Sequence, residues 1–335
     1  MDLIHADAQF HEKGVIDFVK FDAKISLETQ LEDNDWEAEI PADDLGRYDL
    51  QIGDYLYVPG TEWGGRVEKL VHVSDKGIIR ICGANWRGML LRKIISPPAG
   101  QSHRVFTAKS LGEIIAALLE PFGGLYELVL GESPNEAVVY EQKKFRYQNV
   151  LEAISDMLTE HNERLELRLD PDSGKVLLYI RSVQDRSAEM ELSEDYDLSY
   201  TSTRADAQIN HMIALGRGEQ ENRTVRHLYL LPDGSVTENP AAQGVATGVN
   251  ERAMVYDYPN YDSEAELVRG AKKRLLKYGR QDLMEFDFDS GEIDLPLGDK
   301  VGIRDRLIDM ASVKTVTEKL LTVSAEGIVL KYQVK

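Results

Sequence analysis

Seven histidines and 58 acidic side chains give this 335-residue chain its widest chemical reach, as metal ligands, general bases and general acids. His5 and His11 stand near the N-terminus, but His11-Glu12-Lys13-Gly14 lacks the second histidine that a zinc-protease helix supplies one turn on. His161 falls at the end of an expected helix, where the helix dipole favours a histidine. His211 and His227 lie on separate expected strands with no clustered carboxylate beside them, so no histidine metal site is expected. Asp43/Asp44, Asp287/Asp289 and Glu292/Asp294 could each be drawn as an acid/base pair. In so acidic a chain such pairs arise by chance, and solvated turn residues are the simpler reading. Asp170/Asp172 and Asp195/Asp197 begin like calcium loops, yet neither continues to a closing glutamate.

Nucleophile and phosphate signatures are missing as well. The chain has no Gly-x-Ser-x-Gly, no Walker loop and no Gly-x-Gly-x-x-Gly. Gly216-Arg217-Gly218-Glu219 comes nearest and lacks the third glycine and a following helix. Cys82, the only cysteine, sits in the apolar run Ile78-Ile79-Arg80-Ile81-Cys82-Gly83, and reads as structural. One cysteine also excludes an intrachain disulfide framework and a thiolate-rich metal site. The 15 tyrosines are scattered, which suits strand packing better than a sugar platform. The expectation is a protein with no catalytic, cofactor-binding or metal-binding residues, and not an enzyme.

What would position these residues is a strand-rich chain. Strands are expected at Val15–Phe21, Ser26–Leu31, Trp36–Ile40 and Ile52–Val58, with a short helical turn from Pro41. Arg66–Ser74 and Lys76–Gly83 read as a hairpin across Ser74-Asp75-Lys76-Gly77, and Trp86 opens a short helix that would plug a small barrel. Trp63 and Trp86 read as buried aromatic anchors. Ser96–Ser102 is the clearest break. Beyond it, Ser110 and Glu113 form a capping box for a helix, and a second helix begins at Asn149. Leu165–Leu169 and Lys175–Ile180 form a hairpin. Further on, strands are expected at Gln208–Leu215 and Val225–Leu231, with an exposed loop at Pro240–Asn250. A third helix runs from Ser263, with Glu266 completing a capping box, to Gly279 as its C′ glycine. The remaining strands are Asp282–Phe288, Lys300–Arg304, Val313–Val323 and Gly327–Val334.

Composition bounds the partners. Hydrophobic residues make up 42% and charged residues 29%, as in ordinary soluble globular proteins, and the length admits two or more cores. No apolar run approaches the ~18 residues of a membrane span, so no stable membrane insertion is expected. The N-terminus lacks the basic start and apolar core of a signal peptide, which points to synthesis in the cytoplasm. A formal charge of −19 repels phosphate, so sequence-specific nucleic-acid binding is not expected.

Two runs carry a resemblance: Gly60-Thr61-Glu62-Trp63-Gly64-Gly65-Arg66-Val67, and Trp86-Arg87-Gly88-Met89-Leu90-Leu91-Arg92-Lys93-Ile94-Ile95-Ser96-Pro97-Pro98. With Gly298–Arg306 and the closing strand through Ile328–Tyr332, they resemble the ReqiPepy-type siphovirus tail proteins, distant relatives of baseplate hub and late-control-D proteins. The resemblance runs from about Val15 to Val334. It implies an α+β, mainly β fold with two tube-type β-barrels in one chain, at 1–100 and at 186–225 with 281–335. The α+β insert 102–182, with two helices, and the insert 226–280, with a loop and one helix, would hang on the outside. It further implies a homotrimeric, pseudo-sixfold ring at the tail tip of a phage or prophage, although the isolated chain can be monomeric. Such a ring joins the tail tube and distal tail proteins to tip or spike proteins and lets DNA or an effector pass. The rival expectation is a tail-associated cell-wall hydrolase or carbohydrate-binding module, which needs a paired carboxylate, a Cys/His constellation or a cluster of exposed aromatics.

Overall fold

The structure is a computed structural model describing residues 1–29, 33–193, 199–261, 263–279, 281–289 and 294–335, with the side chains at 199, 281, 282 and 287–289 set aside. It divides into two compact units. One comprises Met1–Thr201, Glu285–Asp305 and Ala311–Val334; the other comprises Ser202–Met284, Arg306–Met310 and Lys335. The fold is α+β and mainly β.

In the first unit, a four-stranded sheet runs in the order Glu12–Ile16, Leu3–Ala6, Tyr55–Tyr57, Gly64–Arg66. Within a longer, ten-stranded sheet, one path leads from Gly327–Val334 through Met310–Ser324, Lys20–Ser26, Asp35–Pro41 and Ile78–Ala84 to the edge strand Lys69–Val73. Among the described residues no sheet closes on itself. The described strands form open sheets, and the C-terminal strand joins the N-terminal sheet, with Leu321 opposite Ala23 and Val323 opposite Phe21. The buried side chains of these strands, Phe21, Trp36, Ile40, Ile81, Leu321 and Val323 among them, share one core.

The glycines of the Trp-Gly-Gly landmark have a steric cause. Strand Gly64–Arg66 crosses the end of Ile78–Ala84, and Gly65 bridges to Asn85. A Cβ on Gly65 would lie 2.0 Å from the Ala84 carbonyl oxygen, and one on Gly83 would lie 1.8 Å from that of Arg66. Only bare Cα atoms permit the crossing.

Two N-terminal strands differ from expectation. Val15–Phe21 is not one strand: the chain leaves the first sheet after Ile16 and enters the second at Lys20. The next strand ends at Ser26, where the Asn34 side chain accepts from the Ser26 N–H (2.9 Å) and donates to its carbonyl (3.2 Å), capping the ladder. Residues 30 and 31 of the expected strand Ser26–Leu31 lie outside the described residues. The hairpin across Ser74–Gly77 forms as read, with Val73 opposite Ile78.

Helix Leu111–Leu119 starts in a complete capping box between Ser110 and Glu113, and helix Val150–Glu160 starts with the Asn149 side chain accepting from Glu152 N–H. Their apolar stripes share a core with Val176, Leu178 and Ile180 of strand Lys175–Ser182, and with Tyr55, Tyr57 and Trp86. That strand sits between Tyr126–Val129 and Glu163–Asp170 in a three-stranded sheet. An antiparallel ribbon, Arg104–Ser110 with Val139–Phe145, has no counterpart in the sequence reading.

The second unit holds a four-stranded sheet, in the order Val236–Thr237, Val225–Leu230, His211–Leu215, Ala253–Asp257. Helix Glu264–Lys277 buries Leu267, Ala271 and Leu275 against Met212, Ala214 and Leu228. Gly279 follows this helix without the left-handed φ of a C′ glycine. It serves close packing instead, since a Cβ there would sit 3.2 Å from Leu230 Cδ2 and 3.1 Å from the Leu276 carbonyl oxygen.

Candidate functional site

Chemistry-bearing side chains gather first around the two tryptophan landmarks. The Asn85 side chain caps helix Trp86–Leu91 by accepting from Gly88 N–H at 2.8 Å, which fixes the direction of Trp86 and Arg87. Trp86 is wholly buried and stacks on Tyr55 with centroids 5.9 Å apart, as expected of an anchor; Trp63 is partly buried against the neighbouring core. The Trp86 Nε1–H is buried without an acceptor.

Arg87 is only 2% exposed. Its guanidinium donates from Nε to Glu62 Oε1 (2.5 Å), and from Nη2 to Glu62 Oε2 (3.3 Å) and the Leu165 carbonyl (2.8 Å). One arginine therefore ties the Gly60–Val67 run to the hairpin strand Glu163–Asp170. Burial pushes the Glu62 carboxyl above its usual range, and Arg87 pulls it part of the way back. A cavity of about 300 Å³ opens beside this pair, lined among others by Trp63, Arg164, Glu166, Asp294 and Lys319. Each of its carboxylates has a cation: Glu62 has Arg87, Glu166 has Arg164 (3.2 Å) and Arg168 (2.7 Å), and Asp294 has Lys319 (2.8 Å). Arg164 also reaches the buried Asp299 at 2.9 Å. Carboxylates so neutralised hold elements together and are poorly placed to work as an acid/base couple.

The histidines of the second unit correct the sequence reading. His211 and His227 lie on neighbouring antiparallel strands, and a carboxylate does stand beside them. Glu251 Oε1 is 2.6 Å from His211 Nδ1, while His211 Nε2 is 2.8 Å from His227 Nδ1. Residues 211 and 251 are far apart in sequence, and the parallel pairing of His211–Leu215 with Ala253–Asp257 brings them together. The imidazole centroids are 5.1 Å apart with planes inclined by 31°, so the two nitrogens meet nearly head-on. That geometry shares a proton along a line. Ligands of one metal ion instead aim their lone pairs at a common point off the N···N line. Among the described residues no group of three or more His, Cys, Asp or Glu could hold a metal ion.

The other candidates are local. His5 pairs with buried Asp54 at 2.8 Å, and His11 with Asp7 at 3.2 Å. His161 ends its helix and meets the Tyr140 hydroxyl at 2.9 Å. Asp170 closes its own turn, accepting from Asp172 N–H (3.3 Å) and Ser173 Oγ (2.6 Å), which holds its carboxyl below the usual range. Asp43 and Asp44 lie in a short helical turn without side-chain caps. Asp195, Asp197 and Glu292 lie outside the described residues, and Asp287 and Asp289 outside the described side chains. Gly218 takes a left-handed φ of +97° in a turn that leads only to the three-residue helical turn Gln220–Asn222, too short for a phosphate cradle. The Cys82 thiol faces Glu37 at 3.4 Å, and burial and that carboxylate push it up to about 11. It is a poor nucleophile.

Comparison with known proteins places the fold. No protein-family profile and no curated protein matches the sequence. Among solved structures, the 43 kDa tail protein of prophage MuSo2 from Shewanella oneidensis is similar over 100% of this chain and 98% of that one, with a TM-score of 0.63 at 12% identity. A tail protein from Neisseria meningitidis MC58 is similar over 100% and 96%, with a TM-score of 0.59 at 14% identity. Prophage tail protein gp18 from Listeria monocytogenes EGD-e is similar over 99% and 94%, with a TM-score of 0.54 at 13% identity. At these identities the likeness is one of fold. No helix among the described residues is long and apolar enough to cross a membrane.

Proposed function

We propose that this chain is a structural tail-tip component, a baseplate hub of a phage or phage-like particle. The observation that carries the reading is likeness of fold over the whole chain to three tail proteins, two of them from prophages, spanning 94–98% of their length. Within tail proteins, the Gly60–Val67 and Trp86–Pro98 runs support the siphovirus-type family named above. The strand-rich segments toward the two ends of the chain then act as tube-type modules, and the α+β segment 102–182 and the sheet-and-helix unit built on Ser202–Met284 as outer inserts. Open sheets suit such a role, since edge strands that pair with the next subunit lose their exposure when a ring closes. The ring is a homotrimer that contacts tail-tube, distal-tail and tip proteins in the virion tail, after synthesis in the host cytoplasm. Its work is mechanical, not catalytic: the neutralised carboxylates around Glu62 support this over a cell-wall hydrolase. The surplus of 19 negative charges favours a lumen that nucleic acid crosses without sticking.

The test is cryo-electron microscopy of tail particles purified from cells expressing the chain with its neighbouring tail genes. Threefold density at the tip that fits the two units supports the reading. Intact tails assembled without this chain, or turnover of peptidoglycan abolished by one carboxylate substitution, refute it.

A further inference from the structure

The ribbon Arg104–Ser110/Val139–Phe145 is the anomaly of this molecule. The chain carries −19 overall, yet the ribbon and the residue after it bear Arg104, Lys109, Lys143, Lys144 and Arg146 against a single carboxylate, Glu141. Lys109 and Lys143 are matched by Glu113 (2.6 Å) and Glu160 (2.8 Å) on the adjacent helices. Among the described residues Arg104, Lys144 and Arg146 make no ion pair; Arg104 and Arg146 rest over the Phe106 and Tyr147 rings, at 5.4 and 5.9 Å.

The ribbon has two further properties that a solvated face lacks. Among the described residues it is a sheet of two strands, with no strand paired to either outer edge. It also exposes apolar side chains: Val105 at 40%, Val139 at 61% and Tyr147 at 65%. Its inner face is anchored, with Phe145 buried and Phe106 and Tyr140 packed on the core, so the outer face is held rigidly outward. Ala108 in the middle takes a left-handed φ of 51°, a strained conformation for a residue with a Cβ. Natural sheets guard free edges, since an unpaired edge is a template for another strand. Lysine and arginine blunt an edge against a neutral or basic strand, and an acidic strand removes that penalty by matching them.

We propose that this ribbon is a docking edge for an acidic polypeptide segment in extended conformation, one that adds as a third strand and places carboxylates beside Arg104, Lys144 and Arg146. Charge selects the partner, the open edge gives it main-chain hydrogen bonds, and Val105, which lies opposite Lys144, receives one of its apolar side chains. Nucleic acid is the disfavoured occupant. Three unmatched cations neutralise few phosphates, and the remainder of the chain repels them. The inference stands apart from the ring reading, since a peptide can bind the monomer.

The experiment uses the full-length protein and a fluorescein-labelled peptide of five Glu-Val repeats, followed by anisotropy at 20 mM and 500 mM NaCl. A Lys-Val peptide of equal length and a twelve-residue oligothymidylate run alongside. The expected result is saturable Glu-Val binding that weakens at least tenfold at high salt. It should weaken as much in the Arg104→Glu/Lys144→Glu/Arg146→Glu variant, while Lys-Val does not bind. Hydrogen exchange should slow at Val105–Lys109 or Val139–Lys144 on binding and nowhere in the second unit. Arg104 lies opposite buried Phe145, so circular dichroism verifies the fold of the triple variant, and Lys144→Glu/Arg146→Glu alone should weaken binding at least fivefold if the triple variant does not fold; an Ala108→Gly variant with wild-type affinity is a second control of folding. Absence of Glu-Val binding, affinity untouched by the triple variant, or tighter binding of the oligothymidylate overturns the proposal. None of these outcomes bears on whether the chain forms a ring.

Discussion

Replacing Arg87 with methionine should be among the most damaging single changes in the first unit. The guanidinium is 2% exposed and supplies both hydrogen bonds to the Glu62 carboxylate as well as the one to the Leu165 carbonyl. Methionine fills much of the volume but leaves a buried carboxylate and a buried carbonyl without donors. Breaking a buried pair from one side costs about 3–5 kcal/mol. A pH signature should accompany the loss. Burial already raises the Glu62 carboxyl in the folded protein, and without Arg87 it rises further. A carboxyl raised on folding contributes stability that is complete below the unfolded value, near ~4.3 for glutamate, and is lost as pH climbs through the folded value. The variant should therefore be closest to wild type in mild acid and fall away towards neutrality, by at most about 1.4 kcal/mol per pH unit for one proton. Glu62→Gln/Arg87→Met should recover most of the loss and abolish the pH slope, since neutral replacement of a buried pair is often nearly isoenergetic. Urea denaturation of the three proteins at pH 5, 6, 7 and 8 measures this. A loss for Arg87→Met below about 1 kcal/mol and equal at every pH would refute the reasoning.

Ser110→Ala removes one arm of a complete capping box and should cost about 1 kcal/mol in urea denaturation, whereas Ser110→Asp should cost far less. Cys82, with its thiol near 11, should react with a disulfide reagent at pH 8 roughly 200-fold more slowly than a free cysteine, and at the ordinary rate in denaturant. Equilibrium dialysis against zinc should leave less than one equivalent bound, because His211 and His227 face each other head-on; one tight equivalent lost in His227→Ala would contradict this. Limited proteolysis should cut first within Pro240–Asn250, where exposed turns replace regular structure, and early cleavage between Arg66 and Gly83 would count against the crossing of the two sheets described above.

The parts legible in the sequence were those set by short-range chemistry. Ser110 with Glu113, Asn149 with Glu152, and the turn Asp170–Gly174 announce themselves because cap and turn residues satisfy backbone groups only a few positions away. Most of the failures have a common cause, distant partners. Val15–Phe21 alternates like a single strand, yet its halves serve different sheets. The ribbon of Arg104–Ser110 with Val139–Phe145 has no clean alternation, because Arg104 and Lys143 share a face with Phe106 and Phe145 while Val105 lies on the other. Glu62 and Arg87 stand in the two recognisable runs, but nothing in their spacing says that an ion pair joins them. Glu251 could not be paired with His211 from sequence, because the pairing depends on a parallel strand contact between distant segments.

The pairing of Lys20–Ser26 with Met310–Ser324 also has a kinetic meaning. Thr322 Oγ1 donates to Asp22 at 2.7 Å across 300 residues of chain. During synthesis, Lys20–Ser26 leaves the ribosome some 300 residues before its partner, with one edge already matched by Asp35–Pro41 and the other waiting. Closing so long a loop is slow, and a waiting edge invites the wrong strand. Nascent chains on one polysome would be the nearest source of that wrong strand, each offering the same unfinished edge. Slow release, low temperature or a chaperone that shields the edge should therefore raise the soluble yield more than any change to the mature surface.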